Sequence, residues 1–161
     1  MRKTQAQLGL LLAAFGFLPV CSQGADPGPA LVTPQAQAIQ DFIDHKVALW
    51  RTRLKLEDWQ VTATLVARGQ LPPRTLGGIH WDKPKKSAVI WIIKPAEYGL
   101  PYYEMLQDME LTIVHELIHL DLTALPRGQA SRGSEERAVD GIARALLGLD
   151  RNPAADKSVN D

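Results

Sequence analysis

His115 and His119 stand four residues apart, with Glu116 directly after the first, in the run LTIVHELIHLDL (Leu111–Leu122). Residues four apart share one face of a helix, so both imidazoles can reach one ion while Glu116 lies beside it without binding. Imidazole nitrogen suits zinc, and a catalytic zinc site takes three protein ligands and leaves a fourth position open. Glu116 is then placed to accept a proton from water, as the glutamate of an H-E-x-x-H pattern does. The longer pattern with a third histidine is excluded, because positions 122 and 125 are Leu122 and Leu125 and no histidine follows His119. The bland alternative is a pair of hydrogen-bonded histidines on a core helix. A third ligand decides between them.

Carboxylates supply the candidates: Asp121, Glu135, Glu136 and Asp140. Asp121 follows His119 by two residues and points away on a continuing helix. SEERAVDGIARALLG (134–148) reads as a last helix ending near Gly148, with Ser134 as its N-cap. Acidic residues suit a first turn through the helix dipole, which by itself explains Glu135 and Glu136. Asp140 resists that account. Aspartate is a poor interior helix former, and the following Gly141 costs about 1 kcal/mol relative to alanine. Gly141 is expected to let the helix approach a neighbour closely. Asp140 lies one turn beyond Glu136 on the same face, so a ligand carboxylate and a carboxylate that accepts an N–H from a ligating histidine account for both positions.

HELIH, sixteen intervening residues and ERAVD (Glu136–Asp140) together resemble the gluzincin metallopeptidases of the thermolysin-like clan, in which an H-E-x-x-H helix is followed by a helix bearing E-x-x-x-D. The resemblance implies one zinc ion held by His115, His119 and Glu136, with Glu116 as general base and Asp140 orienting His115. The family often has asparagine just before the ligand glutamate. Glu135 stands there in this chain, so Glu135 and Glu136 both stay open as the third ligand. The preceding helix and sheet resemble minimal members, the minigluzincins, and SprT-like domains. In these an edge strand beside the cleft takes the substrate main chain as an added strand. Larger relatives stabilise the oxyanion with a tyrosine or histidine; by order along the chain, Tyr98, Tyr102, Tyr103, His80 and Arg132 are the candidates here. The implied function is a zinc metalloendopeptidase acting on a peptide or protein substrate. The alternative is an inactive zinc-binding domain of the same fold that binds a peptide or partner.

The elements that must position this chemistry read as α+β. TPQAQAIQDFIDHKVALWRTRL (33–54) forms an N-terminal helix with Thr33 as N-cap, Pro34 in its first turn and an apolar stripe of Ile39, Phe42, Ile43, Val47 and Trp50. His45 on this helix reads as a solvated or packing histidine. DWQVTATLVAR alternates as a half-buried strand, and RTLGGIHWD and SAVIWIIK follow as two more strands joined by the turn residues DKPKK. The expectation is a small three-stranded, mainly antiparallel sheet. Ser87 to Ile93 is its better buried strand. Gly77-Gly78 interrupt pairing, so the segment around Ile79 reads as an edge. The motif helix runs from about Tyr103 to Leu122.

Residues 1–24 read as a secretory signal: Arg2 and Lys3, then the uncharged run Leu8–Val20, then small and polar residues. That run is shorter than the roughly 17–25 residues of a membrane-spanning helix, so export to a bacterial periplasm or beyond is expected, with no stable span after cleavage. Cys21, the only cysteine, offers lipidation as an alternative. Lipoprotein signals resemble one another in a small residue before the cysteine, and Val20 departs from that. A linker (25–32), one zincin-like domain (33–149) and a loose tail (150–161) complete the division. Eighteen basic residues balance eighteen acidic ones, and no basic or aromatic-basic patch suggests nucleic acid. A monomer is expected.

Overall fold

The structure, a computed structural model, describes residues 33–73, 75–125 and 132–151. The expected signal, the linker up to residue 32 and the tail beyond residue 151 lie outside them. The fold is α+β: α1 (Pro34–Arg53), β1 (Gln60–Val66), β2 (Gly77–Asp82), β3 (Ser87–Ile93), α2 (Tyr102–Asp121) and α3 (Arg132–Arg151). No helix among the described residues is long and apolar enough to cross a membrane.

α1 begins as its sequence indicates. Thr33 accepts the Ala36 N–H at 3.2 Å, satisfying one of the free donors of the first turn. Ile39, Ile43, Val47 and Trp50 are buried, and His45 is exposed.

The sheet has the order β1-β3-β2. β2 and β3 form the expected antiparallel hairpin, from Asp82 opposite Ser87 to Gly77 opposite Ile92. In its turn Asp82 accepts the Lys85 N–H at 3.2 Å, and Lys86 takes a positive φ of 50°. β1 pairs with the other side of β3 in parallel, from Gln60 opposite Ser87 to Val66 opposite Ile93. The sheet is therefore mixed, with one antiparallel and one parallel pair. β3 takes the centre because it is the most apolar strand, with Ala88, Ile90, Ile92 and Ile93 buried. β2 is an edge strand, as its sequence suggests, although Gly77 and Gly78 sit inside the ladder and do not interrupt it.

α2 packs against α1, α3, β2 and β3. No glycine or proline occurs within it, and Met105, Met109, Ile113, Leu117 and Leu120 form a buried stripe widened by Val114 and Ile118. Asp108, Thr112, His115 and His119 recur at the same three- and four-residue spacing and face a cleft. Burial of the apolar stripe thus holds the polar one in place.

α3 is longer at both ends than its sequence suggests. It starts at Arg132, so Ser134 lies within the first turns and accepts a hydrogen bond from the Arg137 guanidinium at 3.1 Å instead of capping the helix. Gly148 does not end it, because tertiary contacts outweigh the glycine: Leu147 is buried, and Asp150 pairs with Arg53 of α1 at 2.7 Å. Gly141 serves no close approach. It is exposed, and a Cβ there would meet nothing within 4 Å, so the structure gives no account of it.

Candidate metal centre

A cleft of about 1140 Å³ lies between β2 and α3, with α2 as its floor. The strand side is apolar, with Leu76, Ile79 and Trp81, while α3 contributes Glu135, Glu136, Asp140 and Arg144. Gly77 sets how low the strand wall sits. A Cβ at this position would lie 2.2 Å from Thr112 Cγ2 and 2.9 Å from the Trp91 carbonyl oxygen. Only a residue without a side chain lets β2 rest directly on α2, one turn before His115.

Three ligand atoms converge in this cleft. His115 Nε2 lies 3.1 Å from His119 Nε2, His119 Nε2 lies 3.2 Å from Glu136 Oε2, and His115 Nε2 lies 3.4 Å from the same oxygen. Ligands about 2.0–2.1 Å from a tetrahedrally coordinated zinc stand about 3.3 Å from one another. The triangle has the size a zinc ion requires, and the group could hold a metal ion. Glu136, half of whose side chain is exposed, closes the triangle from α3, so the three atoms come from two helices.

The neighbours suit the same purpose. Burial holds the His115 imidazole below its usual basicity, with His119 adding to the effect and Glu136 opposing it. The neutral ring this favours, with one nitrogen free of a proton, is the form that binds metal. Glu135 Oε1 lies 3.2 Å from His119 Nδ1, where it fixes the ring nitrogen that faces away from the triangle. Of the two adjacent glutamates, Glu136 reaches both Nε2 atoms, and Glu135 lies on the far side of His119. Two successive helical residues point about 100° apart, and His119 fills the angle between them.

Glu116 is buried at the cleft floor, and burial, with Glu136 adding to it, lifts its carboxyl to about 7. Asp140 lines the cleft near His115 but makes its hydrogen bond to Arg144, whose Nε donates to Oδ2 at 3.0 Å. The expected Asp140–His115 hydrogen bond is not formed. Arg144 escapes notice in the sequence, yet positions 136, 140 and 144 recur at helical spacing on one face.

The candidates for stabilising an oxyanion do not meet the triangle. Tyr98 is buried outside the cleft, Tyr102 and Tyr103 are exposed in the first turn of α2, and His80 is exposed on β2 without lining the cleft. The side chain of Arg132 lies outside the description. No known family model matches the chain, and neither a curated protein nor a solved structure matches it.

Proposed function

We propose that this chain is an exported zinc-dependent peptidase of gluzincin type, hydrolysing peptide bonds in a segment laid along the outer side of β2. The observation that carries the reading is the triangle of His115, His119 and Glu136 at tetrahedral spacing in an open cleft, with Glu116 beside it. Two imidazoles and a carboxylate fit zinc, which supplies a Lewis acid able to polarise a carbonyl and acidify water. Glu116, buried and raised to about 7, accepts the proton of the attacking water and returns it to the leaving amine. Among the described residues β2 stands at the edge of the sheet, and an edge strand offers main-chain donors and acceptors for an extended peptide over the site.

Glu116→Gln keeps the shape of the floor and removes the base. Hydrolysis of a peptide library is expected to fall about 10²–10⁴-fold, while metal analysis still finds one zinc per chain. A variant that cleaves as well as the parent refutes the assignment. A second reading, a zinc-binding domain without turnover, is favoured by one observation: no tyrosine or further histidine lines the cleft among the described residues. Stoichiometric zinc without cleavage of any peptide in a broad library would establish it.

A further inference from the structure

Arg144 is the one cationic side chain lining the cleft among the described residues. Its Nε donates to Asp140 and its side chain is 63 % exposed, so the guanidinium is oriented through one nitrogen, while among the described residues its two terminal nitrogens make no hydrogen bond. An arginine held in this way presents two parallel donors, the geometry that matches a carboxylate. Of the acidic side chains around it, Glu136 and Glu135 face the histidines, Asp140 takes up only its Nε, and the Asp108 Oδ2 is buried without a hydrogen bond to it. Burial raises the Asp108 carboxyl, which weakens its competition for the same cation.

The position of Arg144 along the cleft follows from the directions of the elements. Gly77 lies over Thr112 at the start of β2, and Lys83, just past its end, donates to the Thr123 carbonyl, so β2 runs in the same direction as α2. α3 runs the opposite way, with Glu135 at His119 and Arg144 beside Asp108. Arg144 therefore stands at the Gly77 end. A peptide added antiparallel to β2, the more stable pairing, passes from the Trp81 end to the Gly77 end as it runs from N to C. Glu136 and Arg144 are eight residues apart, about 12 Å along a helix, and an extended peptide covers that distance in about three to four residues.

Resting on the peptidase reading of the same site, we propose that Arg144 binds a substrate carboxylate three to four residues after the cleaved bond, making the cleft selective for an acidic side chain or a free C-terminus there.

The test uses zinc-loaded full-length protein and two peptide sets. One carries Glu, Gln or Lys at each position after the bond with an amidated C-terminus. The other ends at those positions as free acid or amide. The acidic side chain, or the free acid if a terminus is what Arg144 reads, is expected to raise kcat/KM about ten- to a hundredfold over its neutral counterpart. Arg144→Glu should reverse the preference towards Lys, and Arg144→Lys should keep only part of it, since it retains charge without the paired donors. Equal rates for Glu, Gln and Lys and for acid and amide, or a preference that survives Arg144→Glu, overturns the proposal. If the parent cleaves nothing, the peptidase reading fails separately. Affinities of the same peptides then decide the subsite: acid-selective binding lost in Arg144→Glu supports it, and unselective binding overturns it.

Discussion

At the scale of single residues, two adjacent glutamates meet opposite ring nitrogens of one histidine. Glu136 Oε2 sits 3.2 Å from His119 Nε2, and Glu135 Oε1 sits 3.2 Å from His119 Nδ1. Losing a ligand and losing its holder differ in size, and the difference separates the two roles. Glu136→Ala leaves two imidazoles and is expected to abolish stoichiometric zinc binding. Glu135→Ala leaves the triangle intact and should weaken affinity about 10–100-fold, the range for removing a partner of a ligating histidine. Glu135→Gln retains an acceptor and should stay near the parent. Competition against a chromophoric chelator measures all three, and a larger loss for Glu135→Ala than for Glu136→Ala would exchange the two assignments. The sequence leaves this pair open because neighbouring positions on a helix differ only in which way they point. That direction is set by where α3 docks on α2.

At the scale of elements, the distance between β2 and α2 depends on Gly77. Its missing side chain is the only room available, with Thr112 Cγ2 at 2.2 Å from the position a Cβ would take and the Trp91 oxygen at 2.9 Å. Gly77→Ala is expected to cost about 1–3 kcal/mol, as overpacking does. Thr112→Ser removes the nearer obstacle but leaves the carbonyl, so the double variant should recover part of that loss and show non-additivity. Urea midpoints at constant m-value read this directly, and strictly additive midpoints would count against the contact. Elements whose signal is periodic were legible in the sequence: α1 with its Thr33 cap, the apolar stripe of α2 and the edge position of β2. Strand direction was not, because alternation in β1 has the same period whichever way it pairs. Cap residues also misled at α3. Ser134 and Gly148 carry terminus chemistry, but Leu147 and the Arg53–Asp150 pair hold the last turn in place. Local preferences of about 1 kcal/mol yield to such packing.

At the scale of the whole molecule, the helix that carries the two histidines, α2, is held by a charge buried beneath it. Glu110 is 6 % exposed on α2, one turn before Val114. Its Oε1 accepts from Trp50 Nε1 at 2.9 Å and pairs with Lys46 Nζ at 2.7 Å, both on α1, and Arg151 at the end of α3 comes within 4.0 Å of Oε2. All three helices therefore meet on one carboxylate, on the side of α2 away from the cleft. Removing it strands the indole N–H and the half-buried ammonium together. Glu110→Ala is expected to cost about 3–5 kcal/mol, the penalty for leaving a buried partner uncompensated. Glu110→Gln keeps an acceptor for Trp50 and loses only the charge, so about 1–3 kcal/mol is expected. The order of the two variants tests the idea better than either size, since a simple cavity effect would leave the isosteric Gln harmless. Chemical unfolding of both, followed through tryptophan fluorescence, should show each losing stability with the Ala variant worse. An unchanged midpoint in Glu110→Gln would show that the charge does not hold the helices together.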